Sequence, residues 1–157
     1  MSGARPTRTA FAALLGAVAV MSLTGGCSKD WGRCGPDPVA EVLRADLYGT
    51  YKGPHGAGLT LRGNGDSTVS FSADNWPEES GPEILKGDAR TFEGRGSWRI
   101  VGDPGEDDSI SLHFEDRPAN RPGQPLQQLQ VGKEDGRLVL FAKLGDPDVC
   151  RVYELKQ

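Results

Sequence analysis

The segment Leu59-Thr-Leu-Arg-Gly-Asn-Gly-Asp-Ser-Thr-Val-Ser-Phe-Ser-Ala73 indicates the fold more clearly than any other part of the chain. Apolar and polar residues alternate on both sides of its centre, so that each run has one apolar and one polar face. The centre, Gly63-Asn-Gly-Asp66, is a strong hairpin signal because Asn-Gly tolerates positive φ. The stretch therefore predicts an antiparallel β-hairpin that is buried on one side only.

The same period of two recurs from Tyr48 to the C-terminus. Further apolar segments with this period are Phe92–Ile100, Ile110–Phe114, Leu126–Val131 and Val149–Leu155. Leu138–Phe141 is apolar on both faces, which is typical of a central or doubly covered strand. About eight short strands joined mostly by Gly- or Asp-rich turns predict an all-β antiparallel meander, with a closed barrel favoured over a sandwich.

One helix and two long connections interrupt this pattern. Apolar residues recur at a spacing of three to four between Asp37 and Leu47, which predicts one short N-terminal helix. The connections are Asp74–Arg90, in which a helical turn is expected at Glu83–Lys86, and Asp116–Pro125. Long loops of small β domains are common binding sites, so both connections are candidate interaction surfaces.

The N-terminus has the features of an export signal. Arg5 and Arg8 precede an uncharged, largely apolar run from Phe11 to Leu23, and Gly25-Gly26 supply small residues at the cut. The apolar run is shorter than the roughly 20 residues that span a bilayer. Residues 1–26 are therefore expected to be removed as a signal peptide.

The block that ends at Cys27 resembles the lipobox of bacterial lipoproteins, although Thr24 stands where that motif usually has leucine. The resemblance implies that Cys27 carries a diacylglycerol and fatty acids such as palmitate. It also implies anchoring at the outer, extracytoplasmic face of the cell membrane, since two acyl chains suffice for stable attachment. Residues 27–36 would then be a tether and residues 37–157 a single β domain. The alternative is an ordinary secretory signal that ends near a cysteine.

The charge of the exported domain narrows its partners. Residues 1–26 contain two arginines and no acid, so their removal changes the formal net charge from −4 to −6. An acidic domain without a Lys/Arg cluster is not expected to bind nucleic acid. The membrane, through Cys27, is the one partner that the sequence identifies, and a monomer is expected.

Two cysteines remain beside the lipidation candidate. Cys34 lies near the end of the expected tether and Cys150 in the last apolar segment, an even pair in an oxidising compartment. The spacing does not suit metal ligation, because no Cys-x-x-Cys is present. We therefore predict a disulfide that joins the two ends of the domain, and no metal site.

Two short segments, Gly49-Thr-Tyr-Lys52 and Gly96-Ser-Trp-Arg99, resemble the Gly-x-Trp opening of lipocalin-like and avidin-like barrels. In those families the aromatic ring closes one barrel end and the base packs over it. The wider pattern over residues 47–155 is similar to that of small uncharacterised lipoproteins from GC-rich Gram-positive bacteria. A ligand-binding barrel of this kind would have a cavity lined by Tyr51, Phe71, Trp98, Leu112 and Phe114.

The sequence contains no recognisable catalytic constellation. Its two histidines, His55 in a Gly-rich turn and His113 between polar neighbours, are expected at the surface, and there is no Gly-x-Ser-x-Gly elbow. We therefore predict a protein without a cofactor that is not an enzyme. The leading expectation is a lipid-anchored domain that binds a small ligand or an envelope component. The alternative is a protein-interaction or inhibitor module that acts through its long loops.

Overall fold

The computed structural model of the protein describes residues 34–63, 68–116 and 123–157. In these residues the strands are β1 (Asp37–Pro38), β2 (Gly49–Lys52), β3 (Gly58–Gly63), β4 (Val69–Pro77), β5 (Thr91–Val101), β6 (Ser109–Phe114), β7 (Gln128–Glu134), β8 (Arg137–Lys143) and β9 (Val152–Lys156). Strands β2 to β9 form a closed antiparallel barrel in which each strand pairs with the next along the chain. The prediction of an all-β, eight-stranded barrel is confirmed.

Closure of the barrel depends on a narrow seam between its first and last strands. β2 and β9 pair at Lys52 and Lys156, whereas β3 and β4 pair along six positions from Gly58 to Gly63. Closure removes the free edges that an open sheet would expose.

The two ends of the barrel differ. At one end, which we call the short-turn end, lie residues 102–108 and 135–136, and at the other, the long-loop end, lie residues 53–57, 78–90, 115–116, 123–127 and 144–151. Short 3₁₀ turns occur in three of the long-loop connections, at Pro54–Gly56, Pro82–Leu85 and Pro147–Val149. Both long connections that the sequence identifies thus emerge from the same end.

The N-terminal segment is where the structure departs most from the sequence pattern. Within the expected helix over Asp37–Leu47, helical geometry is confined to the 3₁₀ turn Arg44–Leu47. Residues 37–38 instead pair with β7, and the Val39 carbonyl accepts a 2.9 Å hydrogen bond from the Asp108 amide. Because the barrel takes these backbone groups, they cannot also form helical hydrogen bonds, and so short a helix has little intrinsic stability with which to compete.

The same segment explains why one strand is apolar on both faces. Residues 34–38, which we call the strap, lie on the outside of β7 and β8. A Cβ atom at Gly35 would lie 3.4 Å from the Phe141 ring, and one at Gly132 would lie 2.9 Å from Cβ of Pro36. Val139 and Phe141 are buried beneath this cover although they point outward. The predicted double cover of Leu138–Phe141 is confirmed, and the strap supplies the outer layer.

Some boundaries also differ from the sequence-based ones. The sequence pattern places Trp76 and Pro77 in a loop, yet they belong to β4, which continues past an irregularity at Asn75, whose φ is 46°. β9 begins at Val152 instead of residue 149 because a 3₁₀ turn precedes it. The tip of the predicted hairpin, residues 64–67, and the export segment with Cys27 lie outside the described residues. In the described part of the chain, no helix has the length and apolar character needed to span a bilayer.

Candidate functional site

The five residues predicted to line a ligand cavity lie together in the barrel interior. Tyr51, Phe71, Trp98, Leu112 and Phe114 are all buried and belong to one apolar core. The rings of Phe71 and Phe114 meet edge to face, with their centroids 4.9 Å apart. At these positions the interior is packed, as expected of an eight-stranded barrel that its own side chains can fill. Ligand binding by these five residues stays a prediction.

The polar groups of these buried rings are bonded to the protein itself. The Tyr51 hydroxyl donates to the Leu47 carbonyl at 3.0 Å and accepts from Gln157 Nε2 at 3.0 Å. Trp98 Nε1 donates to the Arg62 carbonyl at 3.2 Å. Burial raises the pKa of Tyr51 to about 12, with the Gln157 hydrogen bond acting in the opposite direction. None of these groups is left to recognise a ligand.

Tyr51 and Trp98 also close the short-turn end of the barrel. The Tyr48 ring packs edge to face on Trp98, with 6.2 Å between centroids. The bases that follow the two aromatic residues, Lys52 and Arg99, are exposed on the outside. The resemblance to lipocalin-like and avidin-like barrels implies that an aromatic ring closes the barrel end, and the two rings lie there. It also implies that the base packs over the ring, but Lys52 and Arg99 lie on the opposite face of their strands from the rings.

The predicted disulfide is present. Cys34 and Cys150 are joined across a sequence separation of 116 residues, with their Cα atoms 5.4 Å apart. Cys34 is buried, and Cys150 follows the 3₁₀ turn before β9 with a φ of 41°. The bridge therefore fixes the strap at the long-loop end of the barrel.

A large concave surface lies on the outside of the barrel, above β3, β4 and β5, and has a volume of about 680 Å³. Glycines shape it: a Cβ at Gly94 would lie 2.7 Å from the Phe114 ring, and one at Gly96 would lie 1.8 Å from the His113 carbonyl oxygen. Since neither residue has a side chain, β5 can pass close to the core, and the outer surface above it is indented. We call this surface the outer groove.

Polar and charged side chains of both signs line the outer groove. They are Arg62, Thr68, Ser70, Ser72, Asp74, Glu93, Arg95, Ser97, Glu115 and Asp116. A second concave surface of about 430 Å³ adjoins it at Ser97 and includes Arg99 and His113. Asp116 stands at the start of the connection from β6 to β7, and Asp74 lies in β4 shortly before the connection at residues 78–90. The groove and the predicted binding loops are thus neighbouring parts of one surface.

Two arginines flank Ser72 in the middle of the outer groove. Arg62 Nη1 donates to Ser72 Oγ at 3.1 Å, and Ser72 is paired across the sheet with Arg95. Arg95 Nε forms a 2.7 Å ion pair with Asp116, and its side chain is 76% exposed. A guanidinium has five N–H donors, so each arginine retains donors for a partner. Exposed pairs of this kind contribute little to stability, so these residues can be changed without unfolding the domain.

The histidines and carboxylates do not assemble into a catalytic or metal-binding centre within the part of the chain that the structure describes. His55 and His113 are both exposed, and His55 Nε2 donates to the Leu85 carbonyl at 3.1 Å. No group of three or more His, Cys, Asp or Glu side chains among the described residues could hold a metal ion. In the turn at residues 102–108, the Asp108 carboxylate accepts a 2.7 Å hydrogen bond from the Val42 amide and so holds the N-terminal segment against the barrel.

The sequence alone does not identify the outer groove. Most of its members come from three strands, β3, β4 and β5, and each of these residues fits the polar face of its own strand. The Gly94-x-Gly96 spacing is the one signal that could have indicated it. No protein-family model matches the chain, and no curated protein or solved structure is significantly similar to it.

Proposed function

We propose that this protein is a lipid-anchored, extracytoplasmic domain that binds another component of the cell envelope without catalysis. The partner contacts the outer groove and the adjoining loops. Because the groove presents arginines, carboxylates and hydroxyls together, the partner is a polar protein segment that carries both charge signs. The outer groove is the observation that carries this proposal.

The packed interior supports an external site. The aromatic residues of the short-turn end use their hydrogen-bonding groups on the backbone, as for Tyr51 and Trp98. The groove, by contrast, keeps donors and acceptors at the surface, where a partner can reach them. Electrostatic complementarity of this kind gives an interface its specificity and orientation more than its raw affinity.

The position of the disulfide supports a role close to the membrane. Cys27 lies seven positions before Cys34, and a chain of that length spans at most about 25 Å. A lipid at Cys27 would therefore hold the barrel near the bilayer surface. Restriction to this layer raises the effective concentration of envelope partners, which suits a weak and specific interaction.

Photo-crosslinking in intact cells tests the groove. A photo-reactive residue at Ser72 should yield a defined crosslinked species, which mass spectrometry can identify. The double variant Arg62→Glu and Arg95→Glu should abolish the species while leaving the thermal midpoint unchanged, because both side chains are exposed. The matched control, Arg137→Glu with Arg151→Glu, makes the same charge change at exposed positions in and after β8 and should retain the species. Equal crosslinking in both double variants would refute an interface at the groove.

Membrane attachment has a separate test. Cys27→Ala should prevent incorporation of labelled palmitate and move the protein from the membrane fraction to the soluble fraction. Cys34→Ala with Cys150→Ala should leave palmitate incorporation intact. A Cys27→Ala protein that stays labelled and membrane-bound would contradict lipidation at this residue.

A further inference from the structure

A second cavity, of about 150 Å³, lies at the long-loop end of the barrel, and we call it the mouth cavity. It is surrounded by the turn at His55, by the last part of β4 at Asn75 and Pro77, and by the segment that carries Ile84 and Ala89. Tyr153 of β9 lines it from the barrel side. Ile84 is buried in the core, so its segment closes over the barrel end. The mouth cavity shares no lining residue with the outer groove.

The two fully buried tyrosines, Tyr51 and Tyr153, differ in whether the hydroxyl forms a hydrogen bond. Tyr51 bonds to Leu47 and Gln157, whereas the Tyr153 hydroxyl makes no hydrogen bond to any described residue. The Tyr153 hydroxyl is also not fully enclosed. In the described ranges, the only fully enclosed side-chain polar atom without a hydrogen bond is Gln130 Oε1, so the unbonded Tyr153 hydroxyl must keep some contact with solvent. Tyr153 is nevertheless only 2% exposed. Its hydroxyl is therefore accessible only through a small opening. Because Tyr153 lines the mouth cavity, we take this cavity as the route to the hydroxyl.

At the mouth cavity, two residues have backbone conformations that residues other than glycine rarely adopt. His55 has a φ of 57° and Asn75 a φ of 46°. Hydrogen bonds fix both residues: His55 donates to the Leu85 carbonyl, and Asn75 Nδ2 donates to the Gly56 carbonyl at 3.3 Å. Such conformations cost free energy and concentrate at ligand-binding sites, where the surrounding structure enforces them.

The lining defines the class of ligand. Among the described residues, no acid, lysine or arginine lines the mouth cavity, so a cation would lose its hydration without gaining a counter-charge. The one histidine in the lining, His55, already donates to the Leu85 carbonyl. A cavity of about 150 Å³ accommodates a molecule of the size of benzene. We propose that the mouth cavity binds a small, uncharged ring compound whose hydrogen-bond acceptor receives the hydroxyl of Tyr153. Burial keeps this hydroxyl protonated and able to donate, since it raises the pKa of Tyr153 to about 12.

The probe is 4-fluorobenzamide, which combines a ring of the right size with a carbonyl acceptor. Its ¹⁹F relaxation would be measured with the full chain in detergent, where binding is expected with a Kd on the order of 1 mM for so small a ligand. Tyr153→Phe should weaken binding at least about five-fold by removing the donor. Ala89→Leu should abolish binding by filling the space. Tyr51→Phe is the matched control, because it removes a buried hydroxyl at the other end of the barrel, and it should bind like the wild type.

Fluorobenzene, which has the ring but no acceptor, should bind the wild type and Tyr153→Phe equally and weakly. No binding of 4-fluorobenzamide at about 10 mM would overturn the proposal. Equal binding by the wild type and Ala89→Leu would overturn it as well, because the probe would then occupy another site or the detergent. If Tyr153→Phe does not fold, as judged by circular dichroism, Ala89→Leu decides the result.

Discussion

Replacing both Cys34 and Cys150 by alanine should lower the free energy of unfolding by about 4 to 5 kcal/mol. The bridge joins residues 116 positions apart, nearly the whole length of the domain. In the chain-entropy description, a cross-link over a loop of that length removes about 16 cal/mol/K from the unfolded chain, or about 4.8 kcal/mol at 25 °C. Small domains are typically stable by about 5–15 kcal/mol, so the loss would leave little reserve.

Part of the strap should stay in place without the bridge. The pairing of β1 with β7 and the hydrogen bond from Val42 to the Asp108 carboxylate do not involve the cysteines. Cys34 is buried and alanine is smaller, so a minor packing loss adds to the entropic effect. The double variant should therefore unfold at lower denaturant without adopting a different fold.

Urea unfolding followed by tryptophan fluorescence measures the effect. The midpoint should fall strongly, and the dependence on urea should become steeper because the unfolded chain without a cross-link exposes more surface. Wild-type protein that has been reduced and alkylated serves as the control and should match the variant. A loss below about 1 kcal/mol with an unchanged urea dependence would refute the reasoning, because the bridge would then not constrain the unfolded chain.

Three further predictions concern the buried polar groups. Asp108→Ala should lower the free energy of unfolding by about 1–3 kcal/mol in urea melts, because the Val42 amide loses its partner; an unchanged midpoint would contradict this. Tyr51→Phe should cost about 1 kcal/mol in the same assay and Tyr153→Phe much less, since only Tyr51 has hydrogen-bond partners among the described residues; equal losses would be inconsistent with this difference. Burial raises the pKa of Tyr51 and of Tyr153 from 10.0 to about 12, so the unfolded chain ionises first. Stability should therefore be complete below pH 10 and fall by roughly 1.4 kcal/mol per pH unit for each tyrosine between about pH 10 and 12, and urea melts at pH 9 and 11 that coincide would exclude this linkage.

The barrel could be predicted from the sequence because the pattern that specifies each strand lies within the strand itself. Alternation in Leu59–Ala73 determines which side chains point inward, whatever the partner strands are. The double-sided apolar segment Leu138–Phe141 also predicts a second cover correctly. The identity of that cover could not be predicted, since it comes from Gly35 and Pro36, which lie more than a hundred positions away along the chain.

The expected helix shows the limit of local pattern. The apolar spacing between Asp37 and Leu47 fits a helix, but the backbone at Val39 and Val42 is bonded to barrel residues instead. Binding surfaces are harder to predict from sequence than helices, because they depend on which residues become neighbours on adjacent strands. Arg62, Ser72 and Arg95 become one site only through the β3–β4 and β4–β5 registers. Nothing in the immediate sequence of any of the three distinguishes it from an ordinary solvated residue.

A partner that covers the outer groove in the cell is the central claim, and chemical labelling tests it directly. Phenylglyoxal modifies exposed arginines, and mass spectrometry can compare the labelling of each one in intact cells and in the purified protein. Arg62 and Arg95 should be labelled readily after purification and several-fold less in cells, whereas Arg137 and Arg151, which are exposed away from the groove, should be labelled equally in both. Equal labelling of all four arginines in cells and in solution would contradict the claim.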